Sequence, residues 1–329
     1  MIEIKPYGPE WENAHSDFAL RHWTKTRRRI PSYIYWKFRS KPGVSTHSFL
    51  LAVDGSKVIG QFGVIPVWLQ VEGERIAAQW ACDLMIDPEY RGQGVAQLLY
   101  EAAHANCPIT LGSDPSPSAS KSMKRMGYQS LSGGFKYVFP YRLGDLLRYK
   151  KKSIPVLNWI PNPFLVAVRL FSIFNRSLYQ EISPNKYTSH KTSFDLSVVG
   201  IEQDDSFVAW RYPSFENYYS GVRCFSTNFG LSFSGYFQND RFYVASYTAQ
   251  TYKELWKMLQ HLLLLKSNSQ GSIRILASNH LVDKRLRRLG FIRFGTPTEI
   301  IFYTADLSLK KLLLTKTFFY TYIDSDENI

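Results

Sequence analysis

An α/β (α+β) fold of two tandem domains, each a mixed and mostly antiparallel sheet flanked by helices, is predicted for this 329-residue chain. Three observations predict it. Short alternating or apolar runs of strand character are interleaved with runs of helical period from end to end. Neighbouring strand runs are joined by turn signals such as Asp54-Gly55-Ser56 and Glu72-Gly73-Glu74. The second half then repeats the grammar of the first. Ser206-Phe207-Val208-Ala209-Trp210-Arg211-Tyr212 echoes Ser32-Tyr33-Ile34-Tyr35-Trp36-Lys37-Phe38, and the helix ending Leu289-Gly290-Phe291 echoes the one ending Met126-Gly127-Tyr128. Two unrelated α/β halves that end their helices alike are the alternative to a repeat.

In order, Ile2-Glu3-Ile4 alternates as a first strand and Trp11 to Trp23 has helical spacing. The basic run Lys25-Thr26-Arg27-Arg28-Arg29 that follows is either a solvated face or a phosphate contact. Pro31 suits the first turn of a helix through Phe38. Ser48 to Val53 and Lys57 to Ile65 flank the first hairpin turn, and Trp68 to Val71 and Arg75 to Trp80 flank the second. Trp80 to Ile86 continues as a strand, after which come a helix from Val95, a short strand at Pro108 to Gly112, and a helix from Ser118 to Met126 ended by Gly127. Gly134 to Phe139 is expected to close the first sheet, giving a first domain over 1–145.

Ile154 to Phe174 is strongly apolar, but Pro155, Asn158, Pro161, Asn162, Pro163 and Arg169 interrupt it before the ~20 clean residues of a spanning helix. It reads as a linker helix packed between domains, within a linker over 146–195, or as a basic, aromatic surface segment touching anionic lipid. In the domain over 196–329, strands are expected at Val222 to Phe225, Gly230 to Phe237, Arg241 to Tyr247 and Ser272 to Leu276, with Gln238-Asn239-Asp240 as a turn. A helix spans Tyr252 to Leu265, and Ile300 to Tyr303 is expected to close the second sheet.

Composition narrows the function. Hydrophobic residues at 45% supply a core, so a disordered chain is excluded. The net charge of +13 favours an anionic partner, whether a nucleotide cofactor, nucleic acid or a membrane surface. Cys82, Cys107 and Cys224 form no Cys-x-x-Cys pair, so no metal site is expected, and a reducing cytoplasm fits best. The N-terminus lacks the basic, apolar and small-residue regions of a secretory signal. No P-loop, zinc-protease or nucleophile-elbow pattern occurs, and no motif that reads RNA or DNA supports a nucleic-acid partner.

The organising stretch is Asp83-Leu84-Met85-Ile86-Asp87-Pro88-Glu89-Tyr90-Arg91-Gly92-Gln93-Gly94-Val95-Ala96. An apolar strand meets Pro88, turns through two glycines and enters a helix. The first N–H groups of a helix lack partners and carry about half a positive charge. Gly92, Gly94 and the small Ala96 leave a phosphate room to reach them.

Arg91-Gly92-Gln93-Gly94-Val95-Ala96 resembles the Arg/Gln-x-x-Gly-x-Gly/Ala signature of the GNAT superfamily of N-acyltransferases, and Ile86 to Tyr90 resembles the end of that family's fourth strand. The resemblance covers roughly residues 1–142, with a second, degenerate copy in the other half. It implies an acyl-CoA, most often acetyl-CoA, with its pyrophosphate on the N–H groups around Gly92, Gln93, Gly94, Val95 and Ala96, and Arg91 neutralising charge. The pantetheine arm would pair with backbone groups of Leu84, Met85 and Ile86. Ser116 stands where the family often has Asn, and Met123 replaces the Tyr that commonly protonates the leaving thiolate.

Attack by an amine on a thioester needs a general base. Asp83, beside the thioester-binding backbone, is the first candidate and Asp114 the second, although either carboxylate can equally serve a turn. His104 is expected on the helix surface. The second half has Thr248-Ala249-Gln250-Thr251-Tyr252-Lys253 at the corresponding turn, without glycine, and is expected to bind no cofactor of its own. Trp36-Lys37-Phe38 with the signature block also resembles GNAT proteins of surface-polysaccharide synthesis, which implies an amino-sugar acceptor. A peptide or protein amine, or a non-catalytic acyl-CoA sensor, are the other readings.

Overall fold

The structure, a computed structural model, describes residues 1–22, 30–39, 48–142, 144, 154–163, 165–166, 179–187, 197–212, 222–238, 241–265, 271–278 and 280–324. The basic run at 25–29, residues 164 and 167–174 of the predicted linker helix and the Asn239-Asp240 part of a predicted turn lie outside them. In chain order the strands are β1 (Ile2–Pro6), β2 (Phe49–Asp54), β3 (Lys57–Val71), β4 (Glu74–Ile86), β5 (Thr110–Ser113), β6 (Gln129–Ser132), β7 (Phe135–Pro140), β8 (Gln180–Ile182), β9 (Val198–Ile201), β10 (Arg223–Ser226), β11 (Ser232–Gln238), β12 (Arg241–Tyr247), β13 (Ser272–Ala277), β14 (Ile292–Phe294), β15 (Glu299–Tyr303) and β16 (Thr317–Phe319). The helices are α1 (Glu12–His22), α2 (Pro31–Ile34, continued by a π-helical turn Tyr35–Arg39), α3 (Val95–His104), α4 (Pro117–Arg125), α5 (Asp205–Arg211), α6 (Tyr252–Leu264), α7 (His280–Arg288) and α8 (Leu307–Leu314). The mixed α/β class with helices flanking two sheets is the one the sequence predicts.

The runs read as four short strands between Lys57 and Ile86 are two long ones, β3 of 15 residues and β4 of 13. Pro66 does not break β3 because β2 has already ended its pairing at Gly63, so at Pro66 only β4 is a neighbour and one side needs no N–H.

Two compact units emerge. One consists of Met1–Leu131, Phe194–Glu202 and Glu299–Thr317. Its sheet has the order β1-β2-β3-β4-β5-β15-β6, with β9 pairing β3, and β4–β5 is its parallel pair. The other consists of Ser132–Ser193, Gln203–Thr298 and Phe318–Ile329, with a sheet ordered β14-β7-β13-β12-β11-β10-β8 and β12–β13 parallel. Read from opposite ends, the two seven-strand paths correspond strand for strand, and each path contains one strand from the other half of the sequence, while β9 and β16 join the first sheet off its path.

That exchange corrects the sequence expectation. The run Gly134 to Phe139 does not close the first sheet. As β7 it pairs β13 and β14, with Ile275 opposite Tyr137 and Ile292 opposite Val138. Ile300 to Tyr303 does not close the second sheet but pairs β5 as β15, with Ile301 opposite Gly112. Both are short apolar strands preceded by a helix, a glycine and an aromatic residue, so local pattern specifies a strand without specifying its partner. Gly134 fixes the choice for β7. It sits at φ +88, and a Cβ there would collide with the Ala277 carbonyl. The units therefore do not follow the contiguous division 1–145 and 196–329, and β8, within the span read as linker, is a sheet strand.

In the first unit α3 packs on the sheet through Val95, Leu99, Tyr100 and Ala103, the one-turn spacing of an apolar face. They share a core with Leu50, Phe62, Met123 and Ile301. This packing fixes the direction of α3 and so where its N-terminus opens.

Candidate active site

Two features of the first unit coincide at the C-terminal end of β4. The first is a split in the sheet. β4 and β5 pair only at Gln79–Thr110 and Trp80–Leu111, while β4 continues to Ile86. Beyond Trp80 the β5-facing edge of β4 has no strand partner among the described residues, which is the edge onto which an extended chain could add. Leu84 and Ile86 turn partly buried side chains onto the core, leaving main chain as what the edge presents, with Met85 between them.

The second feature is the turn from Asp87 into α3. Asp87, 5% exposed, receives hydrogen bonds from Arg21 at 3.1 Å and His22 at 2.5 Å on α1, and its N–H bonds the Ile59 carbonyl. Burial raises the pKa of this carboxyl, but the bonds from His22 and Arg21 outweigh it and the net shift is downward. Pro88–Tyr90 forms a 3-10 turn, and Gly92 and Gly94 both adopt φ +81, with Gly94 in the left-handed region as the N-cap of α3. No side chain caps this helix. Its first main-chain bond runs from the Leu98 N–H to the Gly94 carbonyl, so the donors from Gly92 to Gln97 lie ahead of the ladder. A Cβ built on Gly92 or Gly94 would meet nothing within 4 Å. The Arg91 Nε donates to the Ile86 carbonyl at 3.2 Å and Gln93 to the Glu89 carbonyl at 2.8 Å, so both side chains brace the turn while remaining exposed. Val95 is core, and Ala96 is half-buried.

The corresponding helix of the second unit, α6, is closed. Thr251 caps it, and Glu254 completes a capping box by accepting from the N–H groups of Gln250 and Thr251 at 2.9 Å each. The N–H groups of Gln250, Thr251 and Glu254 are taken, and the Glu254 carboxylate sits at the helix start.

The two candidate bases stand on the lips of the split, each three residues past the last β4–β5 pair, Trp80–Leu111. Asp83 has φ +51 and Asp114 φ +41, both outside the usual range for non-glycine residues. At Asp83 the cause is a bulge: Gln61 pairs Met85 and Gly63 pairs Cys82, so Asp83 and Leu84 together face Phe62. The Asp83 carboxylate pairs with the Lys37 ammonium at 2.7 Å, and the Lys37 side chain is fully buried. Its carbonyl accepts from Gln61, whose own Oε1 is 2.8 Å from His15 Nε2. Burial lowers the pKa of His15. Lys37, Gln61 and His15 were not singled out from the sequence. The available signal was a lone Lys inside the aromatic run Tyr33 to Phe38, which a buried partner alone makes tolerable.

Asp114 is held differently. Its Oδ1 accepts the Glu299 N–H at 2.9 Å and its N–H bonds the Glu299 carbonyl, tying the end of β5 to β15. Ser116 is the N-cap of α4, with its Oγ accepting from the Ala119 N–H. Met123, at the position of the family's acid, is core at 3% exposure. His104 is half-buried rather than free on the helix surface: its Nε2 is 2.8 Å from Tyr128 Oη, and its ring stacks on Tyr303 of β15 at 3.8 Å. Helix periodicity alone cannot see that strand.

Burial pushes His104 down to about 4. Between the unfolded value near 6.5 and that folded value, the unfolded chain holds the extra proton, so acid favours unfolding. The melting temperature is expected to fall as pH drops from 6.5 toward 4, and less steeply in His104→Gln, as followed by circular dichroism.

Residues 12–114 match the family model described as the acetyltransferase (GNAT) domain, a span holding Lys37, Asp83, the glycine turn and Asp114. No curated protein matches the sequence. In fold the chain is similar to a GCN5-related N-acetyltransferase from Kribbella flavida, with TM-score 0.60 and 13% identity over 92% of this chain and 72% of that one. It is also similar to Eis1 from Mycobacterium abscessus, with TM-score 0.56 and 14% identity over 96% and 76%. A GCN5-related N-acetyltransferase from Anabaena variabilis gives TM-score 0.53 and 10% identity over 93% and 74%. No helix among the described residues is long and apolar enough to cross a membrane. The chain thus carries a GNAT acetyltransferase domain match over 12–114, on a fold shared with GNAT N-acetyltransferases.

Proposed function

We propose that the first unit binds an acyl-CoA, acetyl-CoA in the first instance, and transfers its acyl group to a primary amine by direct attack. The observation that carries this reading is the contrast between two helix N-termini: α3 is uncapped behind two open glycines, whereas α6 is closed by its own Thr251 and Glu254. The residues present fit the group. The donors from Gly92 to Ala96, with Arg91 beside them, would take the pyrophosphate, and Ser116 lies at the start of the next helix. The main-chain edge at Leu84, Met85 and Ile86 would take the pantetheine as an added strand, with an N–H there polarising the carbonyl. When bound, the thioester supplies an activated acyl group. Asp83 would accept the proton of the attacking amine, its carboxylate position fixed by Lys37 and by the Gln61 bond to its carbonyl. Asp114, on the opposite lip, is the second candidate.

We read the two units as two copies of one fold with exchanged sixth strands, the second having lost its phosphate turn. An amino sugar is the acceptor first tested, because Trp36-Lys37-Phe38 with the signature block resembles GNAT proteins of surface-polysaccharide synthesis. The buried Met123 favours one other reading, a protein that binds acyl-CoA without turning it over. Mixing the protein with acetyl-CoA and amine panels separates them. Amine-dependent appearance of free thiol, greatest with amino sugars, is the expected result. Saturable CoA binding with no thiol release from any amine would leave only the binding role, and greater release with peptides would move the acceptor class.

A further inference from the structure

We infer that the exposed apolar groups of Ile154, Val156, Trp159, Ile160 and Val166 are a docking surface for an anionic phospholipid membrane. Their segment is fastened on one side. The Asn162 Nδ2 donates to the Pro140 carbonyl at 2.9 Å, its N–H bonds the Tyr141 carbonyl, and Pro161 bridges Arg142. Asn162 and Leu165 are buried, at 6% and 5% exposure. The other side presents large apolar groups to solvent: Trp159 at 84%, Val156 at 69%, Ile154 at 48%, Val166 at 43% and Ile160 at 40%. Elsewhere among the described residues such exposed groups do not gather five to a thirteen-residue stretch. Exposed apolar groups concentrated in one short, anchored stretch mark a partner rather than scattered chance exposure.

Charge selects the partner. Between Asp145 and Glu181 the sequence carries Arg148, Lys150, Lys151, Lys152, Arg169 and Arg176, and no acidic residue. Cationic flanks around an exposed Trp with Ile and Val are what the headgroup region of an anionic leaflet accommodates, the indole at the interface and the aliphatic groups just below it. A second copy of this chain would bring the same cations together, and duplex DNA would leave the aliphatic groups in water. The inference stands independently of the acyltransferase reading.

The test is cosedimentation of the full chain with vesicles of phosphatidylcholine alone and of equimolar phosphatidylcholine and phosphatidylglycerol. Binding to the anionic vesicles only, weakening as salt is raised, is expected. Replacing both Trp159→Ser and Val156→Ser should weaken it at least about tenfold. Replacing Lys150→Gln, Lys151→Gln and Lys152→Gln together should weaken it and flatten the salt dependence. Parent-like melting of either variant shows that the loss lies in the surface. Failure of the parent to sediment, equal sedimentation with neutral vesicles, or unchanged binding by both variants would overturn the assignment. So would a parent dimer that the Ser variant dissolves, or stronger binding to duplex DNA than to vesicles.

Discussion

Gly94→Glu is expected to abolish acetyl-CoA binding, raising Kd by at least about a hundredfold. Gly94 occupies φ +81, where any L side chain costs roughly 1–2 kcal/mol. That strain is shared with Gly94→Ala, whose methyl group would meet nothing within 4 Å, so Ala should weaken binding by no more than about tenfold. The carboxylate adds repulsion against the pyrophosphate, on the order of 4 kcal/mol for unit charges 4 Å apart near a protein surface. Isothermal titration of parent, Ala and Glu proteins measures the separation. Equal affinity in all three would mean that the nucleotide binds elsewhere or not at all.

Lys37→Met should be the most destabilising single change in the site. It removes the Lys37 ammonium from Asp83, whose side chain is 8% exposed, and breaking a buried pair from one side costs roughly 3–5 kcal/mol. Set against a typical total of about 5–15 kcal/mol, that loss threatens folding. Adding Asp83→Asn to Lys37→Met removes the carboxylate charge that Lys37 balanced and should restore most of the stability in urea unfolding. The restored double variant also isolates the chemistry. If Asp83 is the base, kcat should fall by roughly 10²–10⁴ while acetyl-CoA affinity stays near the parent's. Parent-like stability of Lys37→Met would show that the pair is not load on the fold, and a fully active double variant would remove Asp83 from the base role.

What the sequence disclosed was whatever depends on near neighbours. The turn through Gly92 and Gly94 needs positive φ and an unobstructed approach within a few residues, and both are readable as glycine. The helix stop at Gly127, at φ +90, is of the same kind. The partners of the exchanged strands were not readable, because Phe135–Pro140 and Glu299–Tyr303 are both short, mostly apolar strands and only the assembled sheets distinguish their partners. The same limit hid the surroundings of the two carboxylates. Asp83 takes a buried Lys from before the first hairpin, and Asp114 takes a main-chain bond from a strand near the other end of the chain. Residues chosen for being near the glycine turn in sequence were placed by contacts far from it. His104 is the plainest case, since its own helix offers no hint of Tyr303.

Backbone hydrogen–deuterium exchange with and without acetyl-CoA tests the central claim most directly, because the claim concerns N–H groups. Slowed exchange is predicted in peptides covering residues 84–98, with no change over 248–256, where the capping box of Thr251 and Glu254 already closes the helix start. Protection confined to 248–256, or exchange unaltered throughout at saturating acetyl-CoA, would contradict it.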